Sequence, residues 1–335
     1  SQDQARIDRV VDVVDAIPET ADGLISALGW VAPRRLKGTI KTFLEDESSA
    51  TRRLLGLAAC SVHRVDANAH LARLARDDAA SVRARALRLI GELGAIELSA
   101  ALRTALEDED ETCRFWAAWS ACLTGERDNA FLILRRHAEG DGPFKWRALD
   151  LLLRAQLRTD VMAWLSGLND DPGHARLTVT AAGILGDPRF IPWLIDKMAL
   201  PDLARPAGES FTMITGIDLA YDDLDTDAPN GHEPGPTPDP GNSDVDMDPD
   251  EDLPWPDPTL IQSWWQENAG RFTSGHRYFL GHPCHPDVCR QALMTAYQRQ
   301  RRAAALDLAM EQPSDALFNC RQVGKAQKTI LGQAP

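Results

Sequence analysis

Apolar residues recur along the first half of the chain at the three- and four-residue spacing of amphipathic helices. Residues 96–106 carry one apolar stripe, an acidic turn follows, and residues 112–123 are apolar on nearly every side. Gly125 comes next, and glycine suits the left-handed backbone that ends many helices. Residues 95–125 therefore predict a helical hairpin whose second helix is buried between neighbours.

The turn of this hairpin carries an acid and a base that recur at one fixed spacing along the chain. The acids are Asp46, Asp77, Asp108, Glu139 and Asp170, and each is followed six positions later by a base, namely Arg52, Arg83, Arg114, Lys145 and Arg176. A single closed core has no reason to keep such a period, whereas stacked repeats must each present the same surface to the next. We expect each acid to bond to the base of its own or the next repeat.

The period lays out six repeats over 33–63, 64–94, 95–125, 126–156, 157–186 and 187–216, with an atypical seventh at 3–29. We call this series of acids and bases the acid–base ladder. The two end repeats lack the complete acid–base pair, as expected for the terminal units of repeat arrays. The acid in the turn with a base six positions later resembles HEAT repeats. The sequence therefore predicts an all-α fold, an α-solenoid of about seven HEAT-like helical hairpins.

Charge divides the rest of the chain. The chain has 335 residues and a net charge of -14. Sixteen Asp or Glu residues lie between Pro206 and Gly270, a range that contains no Lys or Arg. We predict an array at 1–216, an acidic insert rich in Pro, Gly and Asp at 217–252, and a Trp-rich helical extension at 253–335 packed on the last repeats. Such an acidic segment disfavours nucleic acid as a partner.

Hydropathy and cysteine usage bear on membrane insertion and on the cellular compartment. No apolar run in the sequence approaches the length of a membrane-spanning helix, so no membrane span is predicted. The six cysteines stand singly, with Cys60, Cys113 and Cys122 at apolar helix positions, which indicates reduced thiols and a cytoplasmic protein. The chain opens at Ser1 directly on a helical pattern, and we expect further sequence upstream.

Several blocks carry a more specific resemblance. They are LGW at 28–30, LAACSVHR at 57–64, CRFWAAWS at 113–120, AGILGDPRFIPWLI at 182–195 and MDPDEDLPWPDP at 247–258. Together they resemble an uncharacterised HEAT-repeat family encoded in the type VI secretion gene clusters of Gram-negative bacteria. The resemblance covers nearly the whole chain. The resemblance implies that the gene lies near genes for secretion spikes and effectors, and it supplies no catalytic residue.

Two clusters contain metal-ligand residue types. His282, Cys284, His285 and Cys289 lie close together in sequence, but structural zinc usually takes two well-separated ligand pairs, so a His-rich loop is favoured. Asp244, Asp246, Asp248 and Asp250 alternate as in a calcium loop. However, Pro249 and Trp255 stand where an EF-hand starting at Asp244 needs Gly and Glu, so a solvated acidic loop is favoured. We predict no metal and no cofactor.

The chain carries no Gly-rich phosphate loop, no His-Glu-x-x-His and no Gly-x-Ser-x-Gly, so we predict no enzymatic activity. We predict a protein-binding scaffold, an adaptor or chaperone-like factor that loads a type VI effector or spike protein. An immunity protein that neutralises a toxin and a passive structural scaffold remain alternatives. The expected partner is another protein, with no role for nucleic acid or membrane.

The second helices of such an array line a concave groove and nominate the contact face. The candidates there are Arg53, Arg85, Arg88, Trp116, Trp119 and Trp146. Trp255, Trp264 and Trp265 in the extension are further candidates, since tryptophan is favoured in binding hot spots. For these three, packing of the extension onto the last repeat is the favoured interpretation.

Overall fold

The structure is a computed structural model that describes residues 2–155, 164–165, 167–168, 172–232, 239, 241–243 and 247–332. Helices form most of these residues, and strands are confined to short two-residue pairs, so the all-α prediction is confirmed at that level. None of the helices in these ranges has the length and apolar character needed to cross a membrane. Two compact units can be distinguished: the first unit comprises 1–155 and 289–335, and the second unit comprises 156–288.

The N-terminal part of the first unit is a series of helices. They are α1 (Gln2–Ala16), α2 (Ala21–Trp30), α3 (Pro33–Leu44), α4 (Ala50–His63), α5 (Asn68–Leu74), α6 (Ala80–Leu93), α7 (Ser99–Ala105), α8 (Glu111–Leu123), α9 (Asp128–Glu139) and α10 (Lys145–Ala155). Helices pack in consecutive pairs, α3 on α4, α5 on α6, α7 on α8 and α9 on α10. The second helices also pack on one another, α4 on α6, α6 on α8 and α8 on α10. This explains why α8 is buried along almost its whole length.

Two helix starts show why the polar turn residues stand where they do. The Ser49 side chain accepts a hydrogen bond from the Arg52 N–H, and the Asp110 side chain accepts one from the Cys113 N–H at 2.9 Å. These caps satisfy backbone donors that the first turn of a helix leaves without partners. The acid of the repeat at Asp108 lies just outside the helix, which leaves its carboxylate available to a neighbour.

Two arginine–aspartate bonds connect successive helix pairs, and one of them joins two residues of the acid–base ladder. Arg83 donates from Nε and Nη2 to the two carboxylate oxygens of Asp108 at 2.9 and 3.0 Å, and Arg53 binds both oxygens of Asp77 at 2.7 and 2.8 Å. In the second case Arg53 makes the bond to the next repeat, whereas its neighbour Arg52 bonds to Asp8 at 2.9 Å. A guanidinium and a carboxylate bound through two parallel hydrogen bonds fix the register of the two repeats.

The remaining described ladder residues bond within their own repeat or to residues outside the ladder, so the predicted acid–base bond is not general. Arg114 donates to the backbone carbonyls of Asp108 and Glu109 at 2.6 and 2.9 Å. Arg52 also lies 3.7 Å from Asp46. Glu139 pairs with Arg135 and Lys145 with Asp141, each at 2.9 Å. Asp170 lies outside the described residues, and Arg176 binds Asp250 in the acidic insert.

The second unit contains α11 (Ala175–Leu185), α12 (Ile191–Met198), α13 (Pro201–Thr215), β1 (Asp225–Thr226), β2 (Trp255–Pro256), α14 (Pro258–Asn268), β3 (Tyr278–Phe279) and β4 (His282–Pro283). Strands β1 and β2 pair antiparallel, with Asp225 opposite Pro256, and β3 pairs antiparallel with β4. Phe211, Ile214, Ile261 and Tyr278 lie in one buried core. Both ends of the acidic insert are therefore ordered against helices of this unit.

One close helix contact occurs in both units. A Cβ added to Gly91 of α6 would lie 2.5–2.7 Å from Ser120 of α8, and one added to Gly183 of α11 would lie 2.8–2.9 Å from Ser210 of α13. The serine hydroxyls donate to the Leu87 and Val179 carbonyls at 2.7 and 2.9 Å. The absence of a side chain lets the two helices approach, and the serine bonds to the neighbour's backbone.

The C-terminal part of the chain returns to the first unit. It contains α15 (Pro286–Thr295), whose last residues belong to this unit, α16 (Gln298–Glu311) and α17 (Gly324–Ile330). The Leu317 N–H donates to the Glu92 carbonyl, and the Asn319 amide donates to the Val62 carbonyl, both at 2.9 Å. These carbonyls belong to the last turns of α6 and α4, which lack partners within their own helices.

This return differs from the predicted extension. The sequence predicts all of 253–335 on the last repeats, whereas the structure assigns 156–288 to the second unit and 289–335 to the first. Open carbonyls at the ends of α4 and α6 are the physical reason, because residues 317–319 supply the missing donors.

Candidate functional site

A cavity of about 610 Å³ opens within the first unit. Its walls come from the ends of α4 and α6, from α8 and α10, and from α16 with residues 317–321. Five of its lining residues are arginines, Arg64, Arg88, Arg147, Arg302 and Arg321, and two are acids, Glu92 and Asp150. A volume of this size is typical of sites for small molecules. The excess of arginine makes it a candidate site for an anionic group.

The repeat places the helix side of this cavity. Arg85, Trp116 and Arg147 stand one repeat period apart, and so do Arg88, Trp119 and Asp150. Because α6, α8 and α10 are stacked second helices, equivalent positions on them point to the same face. One turn of helix separates the two sets, and the second set together with Arg147 of the first lines the cavity.

Glu92 anchors the inner end of the cavity. It is 2% exposed, accepts a hydrogen bond from the Ser61 hydroxyl, and lies 2.8 Å from Arg88 Nε and 3.4 Å from Arg64 Nη1. Burial alone would raise the pKa of Glu92, but Arg88, Arg64 and Arg85 outweigh it and lower the pKa to about 2. The carboxylate is therefore ionised inside the protein, and it takes up part of the arginine charge.

Arg64 occupies this position with an unusual backbone. It follows the last residue of α4 at a φ of 51°, the left-handed region that non-glycine residues seldom adopt. Its side chain donates to the Leu317 carbonyl at 2.8 Å and also to the Ser61 carbonyl. Strain of this kind persists where surrounding contacts fix it, and here those contacts connect α4, Glu92 and the C-terminal segment.

The second acid of the cavity already has a charged partner. The side chain of Arg154 is buried and donates to Asp150 at 2.9 Å and to Asp307 at 2.5 Å. Burial would lower the pKa of Arg154, but Asp150 and Asp307 raise it above the ordinary value. This triad fastens α10 to α16, and it provides Asp150 with a bonded guanidinium that is not one of the cavity arginines.

Three arginines of the cavity remain uncompensated. Within the described part of the chain, Arg147, Arg302 and Arg321 have no carboxylate at salt-bridge distance, and their side chains are exposed to solvent. The pKa of Arg147 is lowered, first by partial burial and then by the positive charges of Arg88, Arg302 and Arg321, which Glu92 only partly offsets. Positive charge is thus concentrated at the accessible part of the cavity.

One aromatic ring packs against two guanidiniums of the cavity. Arg88 and Arg147 lie 4.5 and 5.7 Å from the ring centre of Trp116, which packs edge-on against Trp119 at 5.5 Å. A guanidinium stacked on an aromatic ring keeps its N–H edge free for an anion. The arrangement orders the arginines before any ligand arrives.

Arg85 lies next to this group. The pKa of its guanidinium is lowered to about 10 by burial, with Glu92 acting in the opposite direction, and its buried Nε has no hydrogen-bond partner among the described residues. It contributes positive charge to the environment of Glu92, although it is not among the residues lining the cavity.

The predicted contact residues are distributed over several environments. Arg88 and Trp119 line the cavity, and Trp116 and Arg85 lie beside it. Arg53 is 7% exposed and is committed to Asp77, and Trp146, 45% exposed, packs with Lys145. In the second unit Trp264 and Trp265 pack against the core, and Trp255 lies under Arg205 at 4.5 Å.

Sequence reasoning missed most of the cavity. Arg147 and Asp150 could have been found, since they follow Trp116 and Trp119 by one repeat. Arg64 and Glu92 carry only weak signals, an arginine after a helix end and an Arg88–Glu92 pair four positions apart. Arg302 and Arg321 have none, because the return of the C-terminal segment places them there.

The metal-ligand candidates have other environments. Asp244 and Asp246 lie outside the described residues, whereas Asp250 binds Arg176 at 2.6 and 2.7 Å and Asp248 binds Arg205. These two carboxylates attach the insert to α11 and α13. Of the zinc candidates, His282 and His285 are exposed, Cys284 is half-buried and Cys289 is buried.

Comparison with known proteins gives no further guide to the site. A scan against protein-family models, a search of curated proteins and a search of solved structures each found no match.

Proposed function

We propose that this chain is a non-enzymatic adaptor, a HEAT-like α-solenoid that holds a partner protein through the arginine-lined cavity of its first unit. Consecutive helix pairs, arginine–aspartate bonds between successive pairs and the packing of second helices on one another support the solenoid interpretation. The observation that carries the proposal is the set of three solvent-exposed arginines around one cavity, Arg147, Arg302 and Arg321, without acidic partners among the described residues.

The partner is a protein that presents an anionic group. Preorganised guanidiniums bind planar or tetrahedral oxyanions through paired hydrogen bonds, and arginine is enriched in binding hot spots. Within the resemblance to the type VI family, the adaptor acts in the cytoplasm and helps to load an effector or spike protein. The charged residues of the cavity hold its walls together or attract the anion.

Co-purification with defined partners tests the adaptor role. The chain is tagged and mixed with purified spike and effector proteins from the same gene cluster. We expect the unsubstituted chain to retain both proteins. The double variant R147E/R302E should lose the protein that presents the anionic group to the cavity. The control R103E/R136E changes charge equally at exposed arginines of the first unit and should retain it.

Salt and growth assays separate the alternatives. Retention through the cavity should weaken as salt rises, since screening reduces interactions between exposed charges. Retention of a toxic effector alone, together with rescue of growth on co-expression, would instead identify an immunity protein. Failure to retain any of the proteins would contradict the proposal.

A further inference from the structure

The charge of the cavity can be divided by which arginines already have partners. Glu92 bonds to Arg88 and interacts with Arg64, and Asp150 bonds to Arg154. Arg147, Arg302 and Arg321 then face the same cavity with no carboxylate among the described residues to balance them. A ligand that satisfies them must carry more than one negative charge or offer several oxygens to a small region.

We infer that the cavity binds a phosphate monoester. A phosphate monoester carries a charge of about -1.5 to -2 near neutral pH and presents three acceptor oxygens. One carboxylate offers two oxygens and a single charge, which suits one guanidinium. Three uncompensated arginines therefore match the phosphate group better than the side chain of Asp or Glu.

The remaining lining fits the group that bears the phosphate. Trp119 and Phe318 present aromatic surface, and Leu306 and Leu317 present aliphatic surface, to a volume of about 610 Å³. That volume exceeds what a phosphate group fills, so the carrier enters with it. Gln298 and Asn319 also line the cavity, where their side chains bond to Arg301 and to the backbone of Val62 and so hold the wall in place.

This inference rests on the proposed function only in using the same cavity as the contact site. The phosphate can be part of a small metabolite or of a phosphorylated residue on the partner protein. Both sources share the chemistry that the arginines recognise, and the length of the carrier distinguishes them.

Calorimetric titration of the purified full chain tests the inference without any partner. The probes are inorganic phosphate, O-phosphoserine, a phosphoserine peptide and glutamate at one fixed ionic strength. We expect saturable binding of the phosphorylated probes and at least about tenfold weaker binding of glutamate, corresponding to one lost charge-assisted contact. A peptide that binds far more tightly than O-phosphoserine identifies a protein source, and equal affinities identify a small molecule.

Variants locate the binding. Each of R147Q, R302Q and R321Q should weaken phosphate binding by about tenfold, because each removes one guanidinium that lacks another anionic partner. R103Q removes an exposed arginine of the same unit that pairs with Glu126, and should leave the affinity unchanged. All four sites are exposed, so the variants are expected to fold, which circular dichroism checks.

Two results would overturn the inference. One is the absence of saturable binding for every phosphorylated probe. The other is binding that R147Q, R302Q and R321Q affect no more than R103Q does. If phosphate fails to bind while R147E/R302E still releases the protein partner, the adaptor role stands and its anion is a carboxylate.

Discussion

At the scale of single residues, the buried carboxylate of Glu92 shows how a charge is accommodated inside this protein. Glu92 is nearly inaccessible, yet it has the Ser61 hydroxyl and the guanidiniums of Arg88 and Arg64 as partners. Removing one partner from a buried pair leaves an uncompensated charge, which costs more than the pair contributes. Loss of the Glu92 carboxylate would therefore leave the guanidiniums of Arg88 and Arg64 without this partner and lower the stability of the folded protein.

The pH dependence of stability reports on Glu92. Since its folded pKa is lowered to about 2 from an ordinary value of 4.5, its contribution is complete above pH 4.5 and is lost as the pH falls toward 2. E92Q should lower the free energy of unfolding at pH 7 by ~3 kcal/mol. It should also reduce the loss of stability between pH 4.5 and 2.5. Urea unfolding across this pH range measures both effects.

The exposed turn residue Glu107 supplies the control for that experiment. E107Q should keep the stability at pH 7 and the pH profile of the unsubstituted chain. Equal acid sensitivity in E92Q and in the unsubstituted chain would show that other carboxylates determine the profile.

Arg53 tests the ladder bond between repeats. Its guanidinium binds both oxygens of Asp77 and also donates to the Asp46 and Glu47 carbonyls at 2.8 and 3.2 Å. Lysine keeps the charge but cannot make these bonds together. R53K should therefore cost about 1–3 kcal/mol in the free energy of unfolding. R103K, at an exposed pair, should change it by less than about 0.5 kcal/mol, and equal denaturation midpoints for both variants would refute this role.

At the scale of elements, periodicity predicts the second helices better than the first ones. The pattern predicts a buried helix over 112–123, and α8 spans Glu111–Leu123. The stripe over 96–106 predicts one helix, but residues 96–98 form a 3-10 turn and α7 covers only Ser99–Ala105. Apolar spacing does not separate these two forms over one turn, because their residues per turn are close.

The ladder shows a similar limit. The period identifies the acids, but it names Arg52 where Arg53 makes the bond to Asp77. Adjacent residues on a helix point about 100° apart, so the rotation of α4 against the next repeat decides which one reaches the acid. That rotation depends on core packing, which the spacing of the charges does not specify.

Helix approach at Gly91 gives a prediction for this scale. An alanine there would place its Cβ 2.5–2.7 Å from Ser120, including the Ser120 backbone, so α6 and α8 would have to separate. G91A should destabilise the protein by about 1–3 kcal/mol. G38A, where a Cβ meets nothing within 4 Å, should instead stabilise it by about 0.5–1 kcal/mol, because alanine favours a helix more than glycine does. Thermal unfolding measures both, and a stable G91A would mean that the helices adjust.

At the scale of the whole molecule, the sequence could not predict the C-terminal return. The contact uses the Leu317 N–H and the Asn319 amide on backbone carbonyls of α6 and α4, which lie in the first third of the chain. Every residue has a backbone carbonyl, so neither composition nor periodicity indicates which carbonyls the C-terminal segment will bond to. The cavity depends on it, because Arg302, Phe318 and Arg321 come from this part of the chain. More than half of the residues that line the cavity could therefore not be found from the sequence.

Leu317 tests whether the C-terminal segment completes the site. L317P removes the N–H that donates to the Glu92 carbonyl at 2.9 Å, while L317A keeps that N–H and shortens only the side chain. If residues 317–321 hold Arg321 against the cavity, L317P should expose the segment to limited proteolysis and weaken phosphate binding by at least about tenfold, the loss of one charge-assisted contact. L317A should change both much less. Unchanged protease resistance in L317P would show that other bonds fix the segment. These are the Arg64 side chain, which donates to the Leu317 carbonyl, and the Asn319 amide, which donates to the Val62 carbonyl.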